Sequence, residues 1–121
     1  MGFWSRLFGR KQPQESVPDE HAVIVSFDYG QTDLDALFEV EEHLRSAIEV
    51  AGVGEFDGND IAVDGSDGHL YMYGPDADRL FEVVRPILQE ADCLTNMRAQ
   101  LRYGPPKDGV REEEVQINRV H

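Results

Sequence analysis

The 121-residue chain has one cysteine, Cys93, so no intramolecular disulfide can form. A lone thiol excludes a disulfide-stapled scaffold and lends no support to dithiol redox chemistry, and the expected location is a reducing cytoplasm. Basic residues are scarce, with 11 Lys and Arg against 24 Asp and Glu and a net charge of −13. Long apolar runs are also missing. None approaches the roughly 18 residues of a spanning helix, and the N-terminus lacks the apolar core of a secretory signal. What the chain does have is enough length and 40% hydrophobic residues to bury about two thirds of the surface its unfolded form exposes, so one domain can hold together without metal or disulfide.

The negative charge is not uniform. Residues 1–11 contain Arg6, Arg10 and Lys11 and no acid, and subtracting that +3 from −13 leaves −16 for the rest. A field of this sign repels polyanions and removes the counterion-release term behind most nucleic-acid affinity, so nucleic acid is not an expected partner. A basic protein, by contrast, would be attracted. In the leader, Phe3, Trp4, Leu7 and Phe8 fall at helical i, i+1, i+4, i+5 spacing, with the cations off that stripe. So short a helix orders only against something: a bilayer surface, a partner groove or its own domain. Weak contact with a membrane surface, peripheral at the inner face, is one expectation. Arg6 stands where an N-acylation pattern has Ser or Thr, so lipidation is not indicated. Residues 12–20, with Pro13, Ser16 and Pro18, read as a linker.

From residue 21 to residue 106 the pattern is that of one α+β domain. Val23, Val25 and Phe27 alternate with Ile24, Ser26 and Asp28 and give a first strand over His21 to Tyr29. Thr32 and Asp35 match a capping box, and Leu34, Leu37, Val40, Leu44, Ala47, Ile48 and Ala51 then recur at helical period until Gly52. Ile61 and Val63 alternate with polar neighbours, turn residues Asp64 to Gly68 follow, and strand character resumes at Leu70 to Tyr73, which predicts a hairpin. Asp76 is placed to cap a second helix through Leu80, Phe81, Val84, Ile87 and Leu88, whose last turn Pro86 should kink or shorten. Met97, Ala99, Leu101 and Tyr103 mark a fourth strand before Gly104-Pro105-Pro106. The order β-α-β-β-α-β predicts a ferredoxin-like sandwich, a four-stranded antiparallel sheet with both helices on one face. Within the extension 107–121, Val115 and Ile117 predict a fifth edge strand over Glu114 to Val120, beside the fourth.

If the helices cover the side carrying Val23, Val25, Phe27, Leu70, Met72, Met97, Ala99 and Leu101, parity sends Ser26, Asp28, His69, Tyr71, Tyr73, Arg98, Gln100 and Arg102 to the other. Asp28, Tyr71 and Tyr73 are then expected at mid-sheet, with Arg98 and Arg102 on one flank. Tyr and Arg supply stacking area and bidentate donors, so Asp28, Tyr71, Tyr73, Arg98 and Arg102 form the candidate binding set. A protein partner, a second copy of the chain and a small ligand all fit, and ordinary cross-strand pairing accounts for the same residues without any ligand. The third strand, GHLYMYG, lacks the basic-Gly-aromatic run of RNA-recognition modules.

Other constellations offer little chemistry. Asp57, Asp60, Asp64 and Asp67 fit no EF-hand register and read as turn residues, and the four histidines lack zinc spacing, so neither metal nor cofactor is expected. Cys93 reads as a small buried thiol and His43 as solvent-facing. The loop Asp28 to Asp33 leads into a helix N-terminus, but its own acids oppose an anion there. No phosphate loop or nucleophile elbow is present.

The segments GEFDGND at Gly54 to Asp60, LYMYGPDADRLFEVVRPIL at Leu70 to Leu88, and LRYGPP at Leu101 to Pro106 resemble a family of small bacterial proteins without an assigned activity. That resemblance implies no catalytic residues. The predicted topology is also similar to ACT-type regulatory domains, which bind amino acids at the strand-helix loop, although Tyr29-Gly30-Gln31 stands here in place of their Pro-Gly. The expectation is a non-enzymatic binding or regulatory domain that works by contact with a basic protein, in the manner of an immunity protein, or with its own copy. The alternative is a small-ligand sensor, or an enzyme pairing Asp28 with Tyr71 or His69.

Overall fold

The computed structural model describes residues 20–119 as seven elements. They are β1 (His21–Asp28), α1 (Asp35–Ala51), β2 (Glu55–Ile61), β3 (Asp67–Gly74), α2 (Ala77–Gln89), β4 (Thr95–Arg102) and β5 (Glu112–Ile117). The strands form one antiparallel sheet in the order β2-β3-β1-β4-β5, with every neighbouring pair antiparallel. This is the ferredoxin-like arrangement with a fifth strand added beside the fourth. Phe3, Trp4, Leu7, Phe8 and nearly all of the linker lie outside the described residues.

Alternation sets the faces as the sequence implies. Val23, Val25, Leu70, Met72, Met97 and Ala99 are buried against the helical layer, where Leu37, Leu44 and Ile48 of α1 and Leu80, Val84 and Leu88 of α2 meet them. Leu37, Leu44 and Ile48 recur at the seven- and four-residue spacings that keep one helix face on the sheet. Gly52, at φ 66°, ends α1 in the left-handed conformation, its amide bonding to the carbonyls of Ile48 and Glu49. No described helix is long and apolar enough to cross a membrane.

Several local expectations are corrected. The helix α1 begins at Asp35 behind Leu34, which makes no side-chain cap, and the Asp35 amide bonds instead to Asp33 Oδ1 at 2.9 Å, so Thr32 and Asp35 form no capping box. The second strand lies earlier than the Ile61/Val63 alternation suggests. Phe56 pairs with Met72 and is buried, whereas Val63 is fully exposed in the turn, because an aromatic across from a core methionine outweighs two branched residues beside a loop. A register shift between Phe56 and Gly58 absorbs one extra residue as a bulge. Consequently Asp57 and Asp60 are strand residues, and so is Asp67; of the four acids only Asp64 serves the turn, accepting from the Ser66 amide at 2.9 Å. Pro86 lies on the exposed side of α2, which runs on to Gln89. Cys93 is only half-buried.

The YGP element at the end of β3 has a packing reason. A Cβ on Gly74 would stand 2.2 Å from the carbonyl oxygen of Val53, and one on Gly54 would stand 2.1 Å from that of Tyr73. The chain entering β2 therefore crosses the end of β3 at a distance only two glycines allow. At the other edge, β5 runs from Glu112 to Ile117 and not from Glu114 to Val120, so Glu112 and Glu113 also lie inside the strand. Arg102 pairs with Glu112 and Gln100 with Glu114, which makes β4 an interior strand.

Candidate interaction face

The register of the five strands lays out the uncovered face row by row. One row runs Glu55, Tyr73, Ala22, Arg102, Glu112; the next Gly58, Tyr71, Ile24, Gln100, Glu114; the third Asp60, His69, Ser26, Arg98, Gln116. Tyr71, Tyr73, Arg98 and Arg102 thus share one side, opposite the helices. Ile24, Tyr71 and Tyr73 are half-buried, and Ala22, between Tyr73 and Arg102, is fully buried although it lies opposite the face that the two described helices cover. The centre is aromatic and aliphatic. Both outer strands contribute acids, Glu55 and Asp60 from β2, Glu112 and Glu114 from β5.

The two arginines are not on a flank, as the four-stranded reading expects, because β5 outflanks them. Arg98 Nε faces Glu114 Oε2 at 3.7 Å, Gln100 Nε2 donates to Glu112 Oε1 at 2.8 Å, and Arg102 Nε donates to the Gly104 carbonyl at 2.6 Å. Glu55, Asp60, Glu112 and Glu114 outnumber the two arginines on this side, so its net charge is negative.

Asp28 departs from its expected place. It lies at the end of β1 opposite Asp67 and Thr95, and its carboxylate accepts from Asn96 Nδ2 at 3.3 Å. Ser26, not Asp28, stands across from Arg98. The carboxylate that does meet Tyr71 is Asp60. Tyr71 donates its hydroxyl to Asp60 Oδ2 at 2.6 Å, and His69 Nδ1 lies 2.9 Å from Asp60 Oδ1. Burial pushes the Asp60 carboxyl up, but the hydrogen bonds from Tyr71 and His69 outweigh it and hold the pKa below the usual carboxylate value. Burial, then the bond to Asp60, pushes the Tyr71 hydroxyl up to about 12, so at neutral pH it is a donor and not a base. Tyr73 is raised as well, chiefly by burial.

This grouping escapes sequence reading because the bulge at Asp57 decides which β2 side chains face out. A second grouping escapes it too. At the lower edge of the sheet, the Tyr103 hydroxyl donates to Asp78 Oδ1 at 2.7 Å, its ring meets His21 edge-on at 5.8 Å, and the Arg111 guanidinium lies over it at 4.3 Å. Burial and Asp78 push the Tyr103 pKa up to about 12. His21 Nδ1 accepts from the Ala77 amide at 3.0 Å, and Asp76 Oδ1 accepts from the Asp78 and Arg79 amides, so the first amides of α2 are already bonded.

The amino-acid site of ACT-type domains would lie at the β1-α1 loop. Here the Tyr29 and Gly30 amides bond to the carbonyls of Ser66 and Gly65 at 2.8 and 2.7 Å, so neither is open to a ligand. Among the described residues no three of His, Cys, Asp or Glu converge as a metal site. A groove of about 720 Å³ lies between the helices and one of about 440 Å³ beside Tyr103, and no residue of the uncovered face lines either. The chain matches no protein-family model, no curated protein and no solved structure.

Proposed function

We propose that this chain is a non-enzymatic binding module whose uncovered sheet face docks a cationic protein surface. The observation that carries the reading is the layout of that face: a half-buried centre of Tyr71, Tyr73 and Ile24 between two outer strands that supply Glu55, Asp60, Glu112 and Glu114. An aromatic centre desolvated behind a charged rim is the usual anatomy of an interface hot spot. The rim sets the partner's sign, and the surrounding negative field accelerates its encounter. An antagonist of a basic nuclease, as an immunity protein is, has these requirements. Self-association through the same face is the weaker reading, since it brings together two bodies that each carry −16 beyond the leader.

The test is photo-crosslinking in cell extract from a benzophenone amino acid placed at Tyr73, with a second probe at His43 on the exposed side of α1. A single basic protein captured from Tyr73 and not from His43, and lost in a Glu112→Lys/Glu114→Lys variant, is the expected result. Capture of the chain's own copy from Tyr73, or equal capture from both positions, would refute it.

A further inference from the structure

The helical layer carries a second feature that the sheet-face reading leaves unused. A groove of about 720 Å³ lies between α1 and the end of α2, and no residue of the uncovered sheet face lines it. From α1 it takes Ala36, Val40, His43, Ala47 and Val50, which follow one another at steps of four, three, four and three residues. That is the spacing of a coiled-coil seam, the row of positions along which a second helix can lie at a shallow crossing angle. The row is distinct from Leu37, Leu44 and Ile48, which α1 buries against the sheet. With Ala36, Ser46 and Ala47 along it, the seam offers holes more than knobs, so an occupant supplies the large side chains. The rim sets the occupant's charge. Glu39 and Glu90 line the groove without an ion pair among the described residues, Asp92 lines it 3.7 Å from Arg119, and no Lys or Arg belongs to its described lining.

We propose that this groove docks a basic amphipathic helix of a partner protein, with leucine-sized side chains at its a and d positions and Lys or Arg beside them. The seam spacing on α1 asks for a helix, and the unpaired Glu39 and Glu90 ask for a cationic one. Length follows from the same residues. From Ala36 to Val50 a helix rises roughly 21 Å, which matches about 14 residues, or two heptads, of the partner. Val50, 87% exposed at the end of the row, gains the most cover from such a helix. Since no residue of the uncovered sheet face lines the groove, this contact and the one at the sheet face can each stand without the other.

Cys93, the chain's single cysteine, lines the groove and reports on it. The probe is a peptide of that length made of leucine and lysine, with leucine at the a and d positions, and its control has the same composition in an order that forms no stripe. The probe should bind the full-length protein and slow the reaction of Cys93 with a thiol reagent several-fold, and the control should do neither. Burial, with Asp92 and Glu39, holds the Cys93 pKa up, so protection in each variant is read against that variant's own rate without peptide. Glu39→Lys/Glu90→Lys, at two exposed positions, should weaken the probe by about tenfold and remove the protection. Glu112→Lys/Glu114→Lys, which brings the same net charge, should bind and protect as the parent does. Val50→Lys, which leaves the core untouched, should weaken the probe as well and so separates loss of the groove from a folding defect. Failure of the probe to bind, equal binding of its control, or equal loss in the two double variants would overturn the proposal. So would binding that leaves Cys93 unprotected, or a Cys93 that is slow without peptide and becomes fast on dilution or on deletion of residues 1–11, which assigns the groove to a second copy or to the chain's own leader.

Discussion

At the scale of single residues, Asp60 and Glu41 have titrations shifted in opposite directions. Asp60 is held low by Tyr71 and His69 against its own burial, and a carboxyl with a depressed folded pKa stabilises the fold above its unfolded pKa and loses that contribution as pH falls through the folded value. Tyr71→Phe removes the 2.6 Å bond without removing the ring, so the Asp60 pKa should rise, as read by carbon-13 NMR of the carboxyl. Stability at neutral pH should fall by only about 0.5 kcal/mol, since the site is exposed to water. Glu41 behaves the other way. It is 7% exposed on α1, and burial pushes its pKa above the ordinary 4.5, opposed by a hydrogen bond from Asn59 and by the charge of Arg45. A raised carboxyl favours the fold below its unfolded pKa and loses that contribution as pH rises through the folded one. Glu41→Gln, which can still accept from Asn59, is expected to melt higher than the parent at neutral pH and close to it at acidic pH in thermal scans.

At the scale of elements, ends and edges are where the sequence is most specific. Asp76 caps α2 through two amides, and Asp76→Ala should lower stability by about 1 kcal/mol in urea unfolding. Gly74→Ala should cost about 3 kcal/mol, because its new methyl meets the Val53 carbonyl and backbone cannot step aside as a side chain can. The strand β5 has a double role. It covers the backbone of β4, and through Glu112 and Glu114 it engages Gln100 and Arg98. A chain ending at Val110 should therefore expose an unpaired β4 edge and self-associate in sedimentation velocity, where the full chain sediments as one species.

At the scale of the molecule, charge and shape act on different faces. The sheet presents an aromatic centre with acidic outer strands, and the helical layer presents an apolar groove with acidic walls. A net charge of −13 opposes compaction, so raising ionic strength from about 10 mM to about 0.15 M shortens the screening length from about 30 to about 8 Å and should raise the melting temperature. The same salt should weaken capture of a cationic partner at the sheet face, a combination that separates self-repulsion from interfacial attraction.

Sequence by itself determined the element order, the helix-facing residues of β1, β3 and β4 and the side on which Tyr71, Tyr73, Arg98 and Arg102 lie, because alternation and helical period are local properties fixed by burying one face. It could also place Asp76, whose capping bonds reach only to Asp78 and Arg79. Tertiary structure alone decided that Asp60 and not Asp28 meets Tyr71, since one bulged residue at Asp57 sets the β2 register and no local pattern encodes it. It alone decided that Arg98 faces Glu114, because the sequence places a fifth strand beside the fourth but the backbone pairing of the two sets which side chains come within reach.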